Sequence, residues 1–197
     1  MTRPSGSPNF PPGMTAGQRD AILDARQVER TLRRMASEII EFSSEKRTGL
    51  VLVGIQRRGV ELAQRLATLI EAKEGVPVPR GALDITLYRD DLEVIGPRPL
   101  VGETHVPAEV DGRTVVIVDD VLYTGRTARA ALEELANFGR PARVGLCVLI
   151  DRGGRELPIQ ADIVGKRVAA KPGDRVDVLL QEVDGRDGVE LAQGGGQ

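Results

Sequence analysis

Tryptophan is absent, and three phenylalanines with two tyrosines leave aromatics at only 3% of the 197 residues. A core must therefore be assembled from Val, Ile, Leu and Ala, which suits a buried parallel sheet covered by helices. A single cysteine, Cys147, excludes an internal disulfide and any zinc site built from several cysteines. It stands in the apolar run 144–150 and reads as a buried structural thiol. The one histidine, His105, lies in an irregular stretch before Pro107 and reads as incidental, so no metal site is expected from side chains alone. No run reaches the roughly 18 apolar residues that a membrane helix needs, and the N-terminus carries no long apolar stretch. The expectation is a cytoplasmic chain with no membrane partner. Twenty-seven basic residues balance 29 acidic ones, for a net charge of -2. That excludes a strongly basic protein coating nucleic acid through its phosphates, while leaving room for a local basic patch.

What is present is punctuated and periodic. Residues 1–18 are rich in Pro, Gly and Ser and read as a disordered tail. Residues 19–190 form one domain, a size that a single core serves, and a frayed C-terminus is expected over 191–197. Val28, Leu32, Met35, Ile39 and Ile40 recur at helical spacing and predict a helix over 24–43. LVLVG at 50–54 predicts a buried strand, and a second helix follows from Gly59 to about Lys73. LDITLY at 83–88 alternates apolar and polar residues and predicts a half-buried strand. Residues 89–111 are charged, rich in Gly and Pro, and without period; a loop that long in a compact domain suggests a flap over a site. Strands are predicted at 114–118, 143–150, 161–164 and 176–180, with a helix over 126–138. Strand–helix–strand order implies crossovers, hence an α/β fold with a mostly parallel central sheet flanked by helices.

The sharpest signal is VVIVDDVLYTGRT at 115–127. Four β-branched residues make a central strand, two carboxylates stand at its end, and a Thr-Gly turn leads into a helix. Ligands of open α/β sheets bind outside the carboxyl ends of the strands, where this segment lies. The turn and first helical turn offer unpaired N–H groups to a phosphate. Gly125 lets backbone approach a ligand, and Thr124 and Thr127 can donate hydroxyl hydrogen bonds. Asp119 and Asp120 would repel a phosphate but accept hydrogen bonds from a diol, so the combination fits ribose 5-phosphate. No lysine completes a Walker A loop, and no G-x-G-x-x-G follows the first strand. A Mg²⁺ pair and simple strand capping stay open as readings of the two aspartates. Arg57, Arg58 and Gly59 follow the strand at 50–54 directly, where arginines suit a diphosphate whose charge grows as a glycosidic bond breaks.

Four segments, GIQRRG (54–59), LDITLYRDDL (83–92), VVIVDDVLYTGRTARAAL (115–132) and VLIDRGGRELPIQADIVGK (148–166), resemble one family. It is the bacterial bifunctional pyrimidine operon attenuation regulators and uracil phosphoribosyltransferases, within the type I phosphoribosyltransferases. The resemblance spans roughly residues 24–185. It implies a type I phosphoribosyltransferase-like fold with a small hood at about 161–171 and a flexible flap at 89–111. It implies uracil phosphoribosyltransferase activity: phosphoribosyl diphosphate and uracil give UMP and diphosphate. The ribose-phosphate site then comprises Asp119, Asp120, Val121, Leu122, Tyr123, Thr124, Gly125, Arg126 and Thr127. Arg57, Arg58, Gly59 and Arg89 face the diphosphate, and Lys166, Arg167 and Val168 face the base. Asp119, Asp120 and Arg58 carry catalysis, and Mg²⁺ is held mainly by the substrate's own oxygens. The resemblance further implies a homo-oligomer, a dimer or larger, that responds to UMP or UTP and binds pyrimidine-operon leader mRNA. Arg30, Arg33, Arg34, Arg152 and Arg155 are the candidate RNA contacts. Two alternatives are a non-catalytic nucleotide-sensing RNA-binding attenuator and a phosphoribosyltransferase for another nucleobase.

The chain departs from the family at defined places. Gly154 stands where histidine is usual, Gln160 where arginine is usual, and RRMAS (33–37) replaces a Thr-Arg-Ile-Ala-His run. Arg57 occupies a position that is usually not arginine, and RVAAK (167–171) replaces an Asn-x-Pro-Thr-Ser continuation.

Overall fold

The computed structural model describes residues 19–44, 49–85, 104–107 and 110–194. Its chain order is β1 (Arg19–Leu23), α1 (Ala25–Ser44), β2 (Leu50–Ile55), α2 (Arg58–Glu74), β3 (Arg80–Leu83), β4 (Thr114–Leu122), α3 (Arg126–Leu135), β5 (Arg143–Asp151), β6 (Ile163–Arg167), β7 (Arg175–Leu179), α4 (Gln181–Asp184) and β8 (Gly188–Ala192). Five strands form a parallel sheet in the order β3-β2-β4-β5-β6, and β1-β8-β7 form a separate antiparallel sheet.

Alternation along β4 builds two cores from one strand. Val116 and Val118 join Leu52, Cys147 and Leu149 beneath α1 and α2. Val115 and Ile117 join Val51, Val53 and Val148 beneath α3. Apolar side chains on both faces are what a parallel sheet covered on both sides demands. Helix α1 begins with a reciprocal cap: the Gln27 N–H donates to Asp24 Oδ1 at 2.7 Å, and the Asp24 N–H donates to Gln27 Oε1 at 2.9 Å. Val28, Leu32, Met35 and Ile39 then face inward, as their spacing predicts.

Several boundaries move. The strand predicted at 83–88 meets β3 only at Leu83, where β3 ends; 84 and 85 are not strand, and 86–88 lie outside the described residues. Leu83 and Ile85 are both buried, so the alternation reports burial beyond the end of the ladder with β2. The strand predicted at 161–164 is β6, shifted because Asp162 is used as a stop: its Oδ2 accepts the Leu146 N–H at 2.8 Å. The hood expected at 161–171 is corrected with it, since 163–167 form the edge strand of the main sheet. The cavity is covered instead by the small antiparallel sheet. Fraying from 191 is also corrected for Leu191 and Ala192: β8 is the middle strand of that sheet, so both residues pair on two sides. Of the expected flap, most lies outside the described residues. His105 forms a backbone bridge with Ala82, exchanging bonds of 2.7 and 2.8 Å.

Candidate functional site

A cavity of about 640 Å³ opens at the carboxyl end of β4. Its floor is 119–125 with Thr127, Arg58 and Arg152 flank it, and Arg19 with all of β7 forms the facing wall. This is where the topology of an open α/β sheet places a ligand.

The two carboxylates are aimed by their own backbone. Asp119, 8% exposed, accepts the Asp120 N–H at 2.9 Å, and Asp120 accepts the Val121 N–H at the same distance. Beyond them the chain turns at Gly125, whose φ of +94° places it in the left-handed region as the N-cap of α3. Gly125 has no side chain with which to cap that helix; Thr124 Oγ1 accepts the Arg126 N–H at 3.3 Å, and the other N–H groups of the first turn are those that a helix start offers to an anion. The turn is fastened from outside: the Thr124 carbonyl accepts the Glu156 and Leu157 N–H groups at 3.0 and 3.1 Å. Arg126 does not line the cavity; its guanidinium donates to Glu156 Oε2 at 2.8 Å.

The β2–α2 turn brings Arg58 to the same place through two close approaches. A Cβ on Gly54 would meet the Gly59 carbonyl oxygen at 2.5 Å, and one on Gly59 would meet the Val118 oxygen at 2.4 Å. Helix α2 therefore starts pressed against β4, one residue before Asp119. The Gln56–Arg57 peptide is cis. Arg57 is the N-cap of α2 and is exposed, outside the cavity lining. Arg58 lines the cavity and makes a paired bond to Asp184, Nη2 to Oδ1 at 2.8 Å and Nε to Oδ2 at 3.2 Å. Burial alone would lower the Arg58 pKa, but the Asp184 hydrogen bond and charge raise it above the ordinary arginine value.

The remaining sequence-predicted residues are dispersed. Arg89 lies outside the described residues. Lys166 and Arg167 end β6 and Val168 follows; none lines the cavity, and Lys166 Nζ donates to the Ile22 carbonyl at 3.1 Å. Among the arginines expected to meet RNA, Arg30 and Arg33 are exposed on α1, and Arg33 pairs with Glu29. Arg34 donates to the Val164 and Gly165 carbonyls. Arg155 donates to the Tyr123 and Ile159 carbonyls and pairs with Asp151. Arg152 belongs to the cavity: its guanidinium lies 3.8 Å over the Tyr123 ring, and its buried Nε has no partner among the described residues. Gly154, at φ +74°, makes room for that ring, since a Cβ there would meet Tyr123 Cε2 at 2.4 Å.

Sequence reasoning missed Arg19, β7 and Asp184 as parts of the site. The strand at β7 was legible as alternation, but nothing in the alternation says that it faces the end of β4.

Residues 18–171 match the phosphoribosyl transferase domain. The chain belongs to the phosphoribosyl transferase family. It is 57% identical over 173 residues to the bifunctional protein PyrR of Roseiflexus sp. (strain RS-1), covering 87% of this chain and 94% of that one. It is 55% identical over 170 residues to bifunctional protein PyrR of Thermus aquaticus, covering 86% and 93%. Among phosphoribosyl transferases of solved structure, the hypoxanthine phosphoribosyltransferase of Trypanosoma cruzi superposes with a TM-score of 0.69 over 90% of this chain and 96% of its own, at 19% identity. That of Staphylococcus aureus gives 0.65 over 89% and 92%, at 16% identity. These two likenesses establish the type I phosphoribosyltransferase fold.

Proposed function

We propose that this phosphoribosyl transferase joins uracil to the ribosyl carbon of phosphoribosyl diphosphate, giving UMP and diphosphate. The observation that carries the reading is the floor of the cavity. The helix start at Gly125, flanked by Thr124 and Thr127, and the Asp119–Asp120 pair line the same cavity, an anion cradle beside acceptors for a ribose diol. Arg58 stands at the edge, where a diphosphate would gather charge as its bond to C1 breaks. N1 of uracil bonds to C1 from the opposite side, with loss of its proton. Asp120 stabilises the positive charge that develops at the ribosyl centre, and positioning supplies much of the rest.

Strand β7 is the wall offered to the base. It is an edge strand, so among the described residues one of its sides has N–H and C=O groups without ladder partners, suited to the polar edge of a planar ring. The stretch Lys166, Arg167, Val168 remains the sequence-derived candidate for this role. Mg²⁺ in this proposal arrives on the substrate's oxygens, the hard donors it prefers. Uridine-nucleotide-responsive binding of a pyrimidine-operon leader mRNA is proposed as a second activity, carried by the exposed Arg30 and Arg33 of α1.

Diphosphate release from Mg²⁺–phosphoribosyl diphosphate, with and without uracil, tests the reading beside an Asp119→Asn/Asp120→Asn double variant. The expected result is uracil-dependent release that falls about 10²–10³-fold in the variant. No release with tight UMP binding would make the chain a nucleotide sensor, and preference for guanine or hypoxanthine would reassign the base. Retention of leader RNA that weakens on neutralising Arg30 and Arg33 supports the second activity; no retention at low salt removes it.

A further inference from the structure

Helix α2 carries Arg58 and Arg65 seven residues apart, two turns along one face. Facing them, the segment between β7 and β8 carries Glu182, Asp184 and Asp187. The two arginines are used differently. Arg65 is spent on two carboxylates: Nε and Nη2 donate to Glu182 at 2.9 and 2.5 Å, Nη1 and Nη2 to Asp187 at 3.0 and 2.8 Å. Among the described residues Arg58 bonds to one carboxylate, through Nε and Nη2, so Asp184 does not engage the Nη1 edge of its five-donor fork, and the residue lines the cavity. Asp184 is itself held, because its Oδ2 accepts the Leu180 N–H at 2.9 Å.

We infer that Asp184 is a positioning residue that fixes the plane of the Arg58 guanidinium so that its remaining donors meet an anionic oxygen in the cavity. A planar fork gripped along one edge has little rotational freedom to lose when its other edge binds, which strengthens each bond it then makes. The inference rests on reading Arg58 as the arginine that meets the diphosphate. Asp184 opposes that role as well, since its negative charge repels the same anion, and the two effects predict opposite outcomes. The paired geometry and the anchored carboxylate favour positioning over competition.

The test is calorimetric titration of the whole protein with Mg²⁺–diphosphate, alongside turnover with phosphoribosyl diphosphate and uracil. Asp184→Asn is expected to weaken diphosphate binding about tenfold and to lower kcat about tenfold, with the KM for uracil unchanged. Asp187→Asn loosens the same segment through Arg65 and is expected to leave both unchanged, which separates positioning from general stability. In an Arg58→Lys background, where no fork exists to be oriented, Asp184→Asn is expected to add less than twofold. Tighter or unchanged diphosphate binding in Asp184→Asn, or a full tenfold effect in the lysine background, overturns the inference. A wild-type protein that binds diphosphate without turning over overturns the transferase reading instead, and the titrations still decide the role of Asp184.

Discussion

The floor and the cover of the cavity are held by different balances of packing and charge. The floor hangs from β4, whose Val115, Val116, Ile117 and Val118 are at most 1% exposed, and its position follows from close packing on both faces of the sheet. The cover is a three-stranded sheet whose apolar underside, Leu23, Val176, Val178 and Val189, joins the core beneath α1 and α2, and whose outer contacts are ionic. Arg19 joins Asp177 and Glu190, Arg186 joins Glu190, and Arg58 and Arg65 tie the following segment to α2. A floor set by packing gives a fixed cradle; a cover that adds ion pairs to its packing can be adjusted by salt, pH or an incoming anion. The strongest way to break this comparison is to show that the floor yields.

Gly59→Ala is the largest expected effect. Its Cβ would lie 2.4 Å from the Val118 oxygen and 3.3 Å from Asp119 Cα, both backbone atoms that no rotamer change can move aside. A destabilisation of about 3 kcal/mol is expected by urea unfolding, with ribose-phosphate binding lost in parallel. A loss of only a few tenths would mean that the α2–β4 contact slides freely, and the floor would no longer be the rigid partner.

Arg65→Met comes next. It leaves Glu182 and Asp187 without their shared cation while keeping most of the side-chain volume. Glu182 is 40% exposed and Asp187 23%, so solvent screening limits the expected cost to about 1 kcal/mol. Hydrogen exchange is expected to quicken in β7 and β8 and to stay unchanged in β4 and β5. Wild type in about 1 M salt, where the screening length falls to roughly 3 Å, should move the same way. Equal loosening of both sheets would erase the distinction between them.

Acid should act on the cover first. Burial pushes the Asp184 carboxyl up, but the Arg58 hydrogen bond and the Leu180 N–H hold it below its ordinary value. Arg65 lowers Glu182 and Asp187, and Arg186 with Arg19 lowers Glu190. A carboxylate whose folded pKa is depressed contributes stability that is present above its unfolded pKa, near 4, and lost as pH falls through the folded value. Corrected exchange rates at pH 3 and pH 6 are therefore expected to show β7 and β8 losing protection while β2 and β4 keep theirs. The carboxyl end of β5 is expected to follow the cover in part, because Asp151 is also lowered, against its burial, by the Gly153 N–H and Arg155.

The same contrast explains what could be read beforehand. The strand, the two aspartates and the Thr-Gly turn were legible at 115–127 because local periodicity and local chemistry coincide there. Arg58 was legible because Gly59 follows it in a turn after an apolar run. The cover was not: β1 and β8 are five residues each, 165 positions or more apart, and neither shows that it pairs with the other until the chain is folded. Asp184 was invisible for the same reason, since its partner lies 126 residues away. The hood was misplaced onto β6 because a resemblance transfers sequence positions, whereas the wall of a cavity is chosen by topology.

The smallest effect is the most useful control. Arg33 meets Glu29 at 2.7 Å, closer than the 2.8 Å between Arg65 and Asp187. Judged by distance, the two pairs should matter equally. Arg33 and Glu29 are 63% and 62% exposed, however, and water competes for both ends of that bond, whereas Arg65 is 20% exposed and holds two carboxylates at once. Arg33→Gln is therefore expected to cost no more than about 0.5 kcal/mol by thermal unfolding and to leave exchange in α1 unchanged. A cost matching that of Arg65→Met would show that separation alone sets the strength of these pairs. The cover would then owe nothing to the partial burial of its clamp, and its sensitivity to acid and salt would be shared by every ion pair on the surface.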